Sequence, residues 1–185
     1  EPDAYRDSYS VRLQSRLVFS LDEQSSLVIT PYVRSTDMDF LMHFLPGQPV
    51  EKNGQDGGGV QTSYHVQFSD HWALASGIDA EYTDAWLKQT QKDEVSFSDA
   101  FPQGKQYDYQ VKAGLLAAFT RADFSPWETT HLNAGARYQY MDYDYNNQMI
   151  DGNTAGDGTP CPDGCRYSRP SDRSDRFGDW SFNMG

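Results

Sequence analysis

The sequence predicts an all-β fold: an antiparallel up-and-down transmembrane β-barrel, of which this chain supplies a sector of about seven strands. Three observations carry that prediction. Segments of roughly ten residues alternate between an apolar and a polar face, as side chains do on a strand. The connections between these segments run short, long, short, long, short, long, which suits a barrel with tight turns at one rim and long loops at the other. The composition is polar yet rich in rings, 37% hydrophobic with 12 Tyr and 10 Phe at a mean hydropathy of -0.75.

The first strand is read over residues 9–20, YSVRLQSRLVFS. Tyr9, Val11, Leu13, Leu17 and Phe19 share one parity, and the other carries Arg12, Gln14 and Arg16. A polar turn at 21–26 leads to LVITPYVRST, where Leu27, Ile29, Pro31 and Val33 oppose Val28, Thr30, Tyr32 and Arg34. Pro31 argues against a central position, because it cannot donate to a ladder. Residues 36–59 read as a long loop ending in a glycine run.

The third strand, VQTSYHVQFSD, sets Val60, Thr62, Tyr64, Val66 and Phe68 against Gln61, Ser63, His65 and Gln67. A turn at 69–71 gives WALASGIDAEY, with Trp72, Leu74, Ile78, Ala80 and Tyr82 on its apolar parity, and a second loop spans 83–106. In YDYQVKAGLLAAFT, Tyr107, Tyr109, Val111, Ala113, Leu115, Ala117 and Phe119 form the apolar parity opposite Asp108, Gln110, Lys112 and Gly114. A turn at 121–130 precedes HLNAGARYQYMDYDY, in which Leu132, Ala134, Ala136, Tyr138 and Tyr140 oppose His131, Asn133, Arg137 and Gln139. The third loop covers 144–179, and Trp180, Phe182 and Met184 open a last strand.

Strands of this length suit a tilted crossing of a bilayer, with aromatic residues at their ends marking the two interfaces. Lipid then meets the Leu13 and Leu17 face, and the arginines point into a polar interior. A soluble β-sandwich would reverse the faces, but long loops alternating with tight turns fit it less well. Aromatic richness argues against disorder. A net charge of -12 argues against a nucleic-acid partner. No enzyme signature is present: the sequence lacks a Gly-x-Ser-x-Gly elbow, a His-Glu-x-x-His pair, a phosphate loop and a dinucleotide fingerprint. An odd strand count, a start at Glu1-Pro2 and an end inside a strand make the chain read as a barrel piece cut at both ends.

Two stretches, PYVRSTDMDFLMHFLPGQPVEKNGQDGGGVQTSY and DGTPCPDGCRYSRPSDRSDRFGDWSFNMG, resemble the barrel of TonB-dependent outer-membrane receptors, specifically the iron-complex (siderophore) type. The closing DWSFNMG is similar to the family's aromatic-Ser-Pro-Lys-x-Gly strand start, with Phe182-Asn183 where Pro-Lys is common. The resemblance implies a 22-stranded barrel around a plug domain, of which this chain holds only wall. It also implies TonB-driven uptake of a metal chelate such as a ferric siderophore across the bacterial outer membrane. The implied partners are outer-membrane lipid and lipopolysaccharide, the plug, the remaining strands, TonB and the chelate, with no cofactor. A passive porin-like channel is the alternative.

At an oxidising surface Cys161 and Cys165 are expected to form a local disulfide. Arg12, Arg16, Arg34, His65 and Arg137 are expected on the lumen face, in contact with the plug. Candidate substrate-loop residues are Met38, Met42, His43, Arg166, Tyr167 and Arg169. Thioethers with an imidazole suit copper, but packing is the preferred reading of Met38, Met42 and His43. Arginine with tyrosine suits an anionic chelate, although internal Arg–Asp pairing is the simpler account of that loop.

Overall fold

The computed structural model describes residues 4–185. Its regular elements are all strands: β1 (Arg6–Gln14), β2 (Leu17–Ser20), β3 (Ser25–Leu41), β4 (Val50–Ser69), β5 (Trp72–Gln91), β6 (Gly104–Trp127), β7 (Thr130–Asn147) and β8 (Arg173–Met184). They form one open antiparallel sheet in the order β1-β3-β4-β5-β6-β7-β8, with β2 also on β3. Each hairpin partner is thus the next strand in the chain, which is the up-and-down topology.

β1 and β2 are one strand with a gap. Gln14 faces Tyr32 and Leu17 faces Ile29, so the register is unbroken across Ser15 and Arg16. The gap lies opposite Pro31, whose carbonyl accepts from the Ser15 amide at 3.1 Å. Proline has no N–H to return the second bond of that pair. Pro31 therefore sits inside a strand flanked on both sides, and the ladder absorbs the loss as a local gap.

The strands run well past the ends that alternation suggested. The long connections shrink to residues 42–49, 92–103 and 148–172, and the short ones fall at 21–24, 70–71 and 128–129. Outside the apolar layer both faces of a strand are polar, so no period-2 signal survives, yet the backbone ladder still needs only a partner strand. Gly57, Gly58 and Gly59, read as loop, lie in the middle of β4 opposite Arg34, Val33 and Tyr32.

Register sorts the side chains onto two faces. One row joins Pro31, Val60, Ala80, Leu116 and Tyr140 through successive pairs. Residues of this outer face are splayed and open: Leu13, Ile78 and Leu116 are 70%, 55% and 55% exposed. The opposite face is covered, with Tyr32 at 8% and Ala117 at 2%. Side chains converge on the inside of a curved sheet and diverge on the outside, so the covered face is the concave one.

The outer apolar band runs along β5 from Trp72 to Tyr82. Ten steps of about 3.3 Å, tilted by about 40°, give a band about 25 Å tall, which is the height of a barrel's lipid-facing belt. Trp72 stacks on Phe124 at 4.3 Å at the turn end, and Tyr138 packs on Trp180 at 5.0 Å. Just beyond Tyr82 the outer face turns charged, in the paired row Asp56, Asp84, Lys112 and Asp144.

β6 departs from its apparent alternation. Tyr107, Tyr109, Val111, Ala113, Leu115, Ala117 and Phe119 lie on the inner face, since Leu115 pairs with Glu81 and Ala117 with Asp79. Leu116, Ala118, Ala122 and Phe124 face outward beside Ala80, Ile78, Leu74 and Trp72. Residues 113–119 are apolar on both parities apart from Gly114, so periodicity could not choose between the faces.

Candidate functional site

Two features occupy the inner face. The lower one is a polar network that crosses β4. The Tyr32 hydroxyl donates to Glu81 Oε2. Arg34 Nη2 donates to Glu81 Oε1 at 2.6 Å and to Thr83 Oγ1 at 3.3 Å. Donors on β3 and acceptors on β5 are separated by the whole width of β4, and the glycines make the crossing possible. A Cβ on Gly57 would lie 2.8 Å from Thr83 Oγ1, and one on Gly59 would lie 2.9 Å from the Tyr32 hydroxyl. The glycine run is therefore a flat window over which two long side chains reach. Arg12 stacks its guanidinium over the Tyr32 ring at 4.8 Å, and Arg137 pairs with Asp79 at 2.6 Å.

The upper feature is a cavity of about 680 Å³ where the three long connections meet. Met42, Leu45, Pro46 and Pro49 come from residues 42–49, Phe97, Ser98 and Phe101 from 92–103, and Arg166 and Tyr167 from 148–172. Gln89, Gln106 and Tyr107, at the strand ends, form the floor. Its volume is that of a drug-sized ligand site, apolar with a few polar groups. Close by, Tyr109 packs against Tyr145 at 5.1 Å, and burial with the nearby Glu51 charge pushes its hydroxyl pKa up.

The third connection is held rigidly although it has little regular structure. Arg169, 2% exposed, donates to the carbonyls of Ile150 (2.6 Å), Gln106 (3.1 Å), Thr154 (2.8 Å) and Ala155 (3.2 Å). Its five-donor fork satisfies several loop carbonyls at once, which a point-charge lysine could not. Asn153 Nδ2 donates to the carbonyls of Cys165 and Tyr167, and its Oδ1 accepts from the Cys165 amide at 2.7 Å. Cys161 and Cys165 are joined, with Cα atoms 5.3 Å apart. The Arg166 amide donates to Ala100 O at 3.1 Å, tying this loop to residues 92–103. Burial raises the Tyr167 hydroxyl pKa, and the Arg169 guanidinium, 5.4 Å from that ring, acts the other way.

Of the residues singled out in the sequence, Arg12, Arg34, His65 and Arg137 stand on the inner face by register. His65 shares a 2.9 Å hydrogen bond with Ser63, and Arg16 lies exposed in the gap between β1 and β2. Met42, Arg166 and Tyr167 line the cavity, while Arg169 is spent on the loop's own carbonyls and does not line it. Met38 and Met42 are engaged apart, by Arg6 Nε at 3.1 Å and Gln89 Nε2 at 3.4 Å, and His43 packs edge-on to Phe44 at 5.7 Å. These three side chains therefore pack rather than converge. Among the described residues no cluster of three or more His, Cys, Asp or Glu could hold a metal.

Sequence reasoning did not single out Glu81, Thr83 and the glycine window. The alternation Asp79, Glu81, Thr83 on the polar parity of β5 was the available signal. Phe97, Phe101 and Gln89 lay in segments read as solvated loop, and only the meeting of three loops gives them a role.

No family model and no curated protein matches this sequence. Solved structures do match its fold. The ferric-catecholate import receptor Fiu of E. coli K12, in its open form, superposes with a TM-score of 0.65 at 12% identity, over 98% of this chain and 33% of that one. The closed form gives 0.64 at 12% identity, over 98% and 30%. The chain thus spans about a third of the length of these receptors, and its sheet is a sector of an up-and-down β-barrel of that kind.

Proposed function

We propose that this chain is wall from the barrel of a TonB-dependent outer-membrane receptor that actively imports a metal chelate such as a ferric siderophore. The observation that carries the reading is the inside-out sorting of one continuous sheet. An apolar band about 25 Å tall covers the convex face, and ion-paired Arg34, Glu81, Arg137 and Asp79 cover the concave one. In a bilayer every backbone group must be paired and the outer surface must be apolar, and a closed barrel meets both demands. The likeness to the barrel of an import receptor supports the same reading.

In this arrangement the turns at 21–24, 70–71 and 128–129 face the periplasm and the connections 42–49, 92–103 and 148–172 face outward. Lipid and lipopolysaccharide cover the convex face. Arg12, Arg16, Arg34, His65 and Arg137 face a plug domain, and the remaining strands pair with the free edges of β1 and β8. TonB acts through the plug.

Iron-limited growth of a strain lacking the gene, with uptake of ⁵⁵Fe(III) chelates by the intact strain, tests the reading. Heat-modifiable gel mobility in the outer-membrane fraction and uptake abolished by a proton uncoupler are expected. Uptake that persists without the proton gradient would make the protein a passive channel. A detergent-free soluble species would overturn the barrel.

A further inference from the structure

We infer that the connections 42–49, 92–103 and 148–172 are one cooperative block that opens and closes as a unit, pinned by the buried side chains of Gln91 and Arg169. The inference goes beyond the receptor reading and does not depend on it, since it concerns how the roof of the cavity moves and not what the cavity holds.

Burial is the first ground. The largest fully buried side chains among the described residues are Arg169, Gln91 and Pro49, and all three lie at this rim rather than in the wall. Val95 and Ala100 of the second connection and Cys165 and Tyr167 of the third are buried with them. A loop with few buried contacts opens on its own. These connections instead share a small core.

The links between them are the second ground. Gln91 Nε2 carries two hydrogens. It donates one to Gly47 O in the first connection and the other to Asp93 O in the second, the latter at 3.0 Å. The backbone of Gly47 rests directly on the second connection, since a Cβ there would lie 2.6 Å from Val95 Cγ2. The second connection is tied to the third by the 3.1 Å bond from the Arg166 amide to Ala100 O. Arg169 fastens the third to the start of β6, at Gln106 O, and to its own carbonyls at Ile150, Thr154 and Ala155. Lifting one connection bares side chains that its neighbour buries against it and breaks one of that neighbour's links. The neighbour then opens more easily, which is the condition for a cooperative local transition. The cavity, lined by all three, therefore has one closed and one open state.

The test is native-state hydrogen exchange, read by mass spectrometry on the full-length protein in detergent. In low guanidinium the parent's three segments should exchange with one common opening constant and one common denaturant slope. Gln91→Met is nearly isosteric and removes both donors, so it should speed exchange about 10- to 100-fold. The factor should be the same in 148–172, to which Gln91 makes no bond, as in 42–49 and 92–103. Arg169→Met should do the converse, speeding 42–49 as much as 148–172. Heat-modifiable gel mobility checks that each variant forms its barrel, and where one does not, the parent's denaturant slopes decide alone. Acceleration confined to the connections a variant touches, or three separate slopes in the parent, would overturn the block.

Discussion

Leu115 and Leu116 are identical, adjacent and, by the pairing with Glu81 and Ala80, on opposite faces of β6. Arginine substitutions there measure the orientation of the sheet. The band from Trp72 to Tyr82 is centred near Gly77, and Ala118, paired with Ile78, lies one residue from that centre. That is about 2.5 Å from the midplane along the membrane normal, whereas Leu116 lies about 7.5 Å away in a half-height of about 12 Å. Lipid-facing arginine costs about 2–4 kcal/mol at the midplane and about 0–1 at the interface, so Ala118→Arg should cost about 3 kcal/mol and Leu116→Arg about 1.5–2. Leu115→Arg points inward beside Glu81 and should cost less than about 0.5 kcal/mol, since a lumen position stays wet. Reversible guanidinium unfolding of the full-length protein in lipid vesicles, followed through the chain's 4 tryptophans, gives all three values. If Leu115→Arg proves the costlier of the adjacent pair, the odd residues of β6 face lipid and the register is out by one.

Three further outcomes follow from the inner face and the loops. Glu81→Ala removes the acceptor of both Tyr32 and Arg34 and should destabilise the wall by about 2 kcal/mol, with Glu81→Gln intermediate; Gly57→Val should match the alanine variant by closing the window, all read by the same unfolding assay. Arg169→Met strips a buried guanidinium from three loop carbonyls and from that of Gln106 in β6, and should open residues 148–172 to limited proteolysis, while the barrel midpoint moves little. Lys52 donates to Asp39 at 2.6 Å and, with the Tyr5 hydroxyl, holds that carboxyl below its ordinary 3.8. A depressed carboxyl contributes stability that is present above the ordinary value and lost as pH falls through the lowered one, and solvent screening keeps that contribution small for an exposed pair. A ¹³C titration of Asp39 should show the low value, and Lys52→Ala should return it toward 3.8.

Much of the fold was legible in the sequence because a bilayer imposes a strict period of two. Leu13, Ile78, Tyr82, Leu132 and Trp180 stand on the face their alternation assigns. The order of short and long connections carried the topology, since hairpins that meet end to end can build only a meander. Outside the apolar layer this signal ends. The extensions of β3 to Leu41 and of β5 to Gln91 rest on backbone bonds to a partner strand, which no single strand's composition reveals.

What the sequence determined by itself is therefore the architecture: two unlike faces, strands long enough to cross a bilayer, and tight turns at one rim. What only the tertiary structure decided is which groups meet. Pairing alone could assign the apolar run at 113–119 to its faces, because both of its parities were greasy. The glycines of β4 became a window because Tyr32 and Glu81 flank them two strands apart, a separation of more than 45 residues in the chain. The cavity exists because three loops, remote in sequence, close over one sheet end and turn their carboxylates away from it. Local alternation is set by the solvent on each side of one strand, whereas a site is set by the register between strands, and register is a property of the assembled sheet.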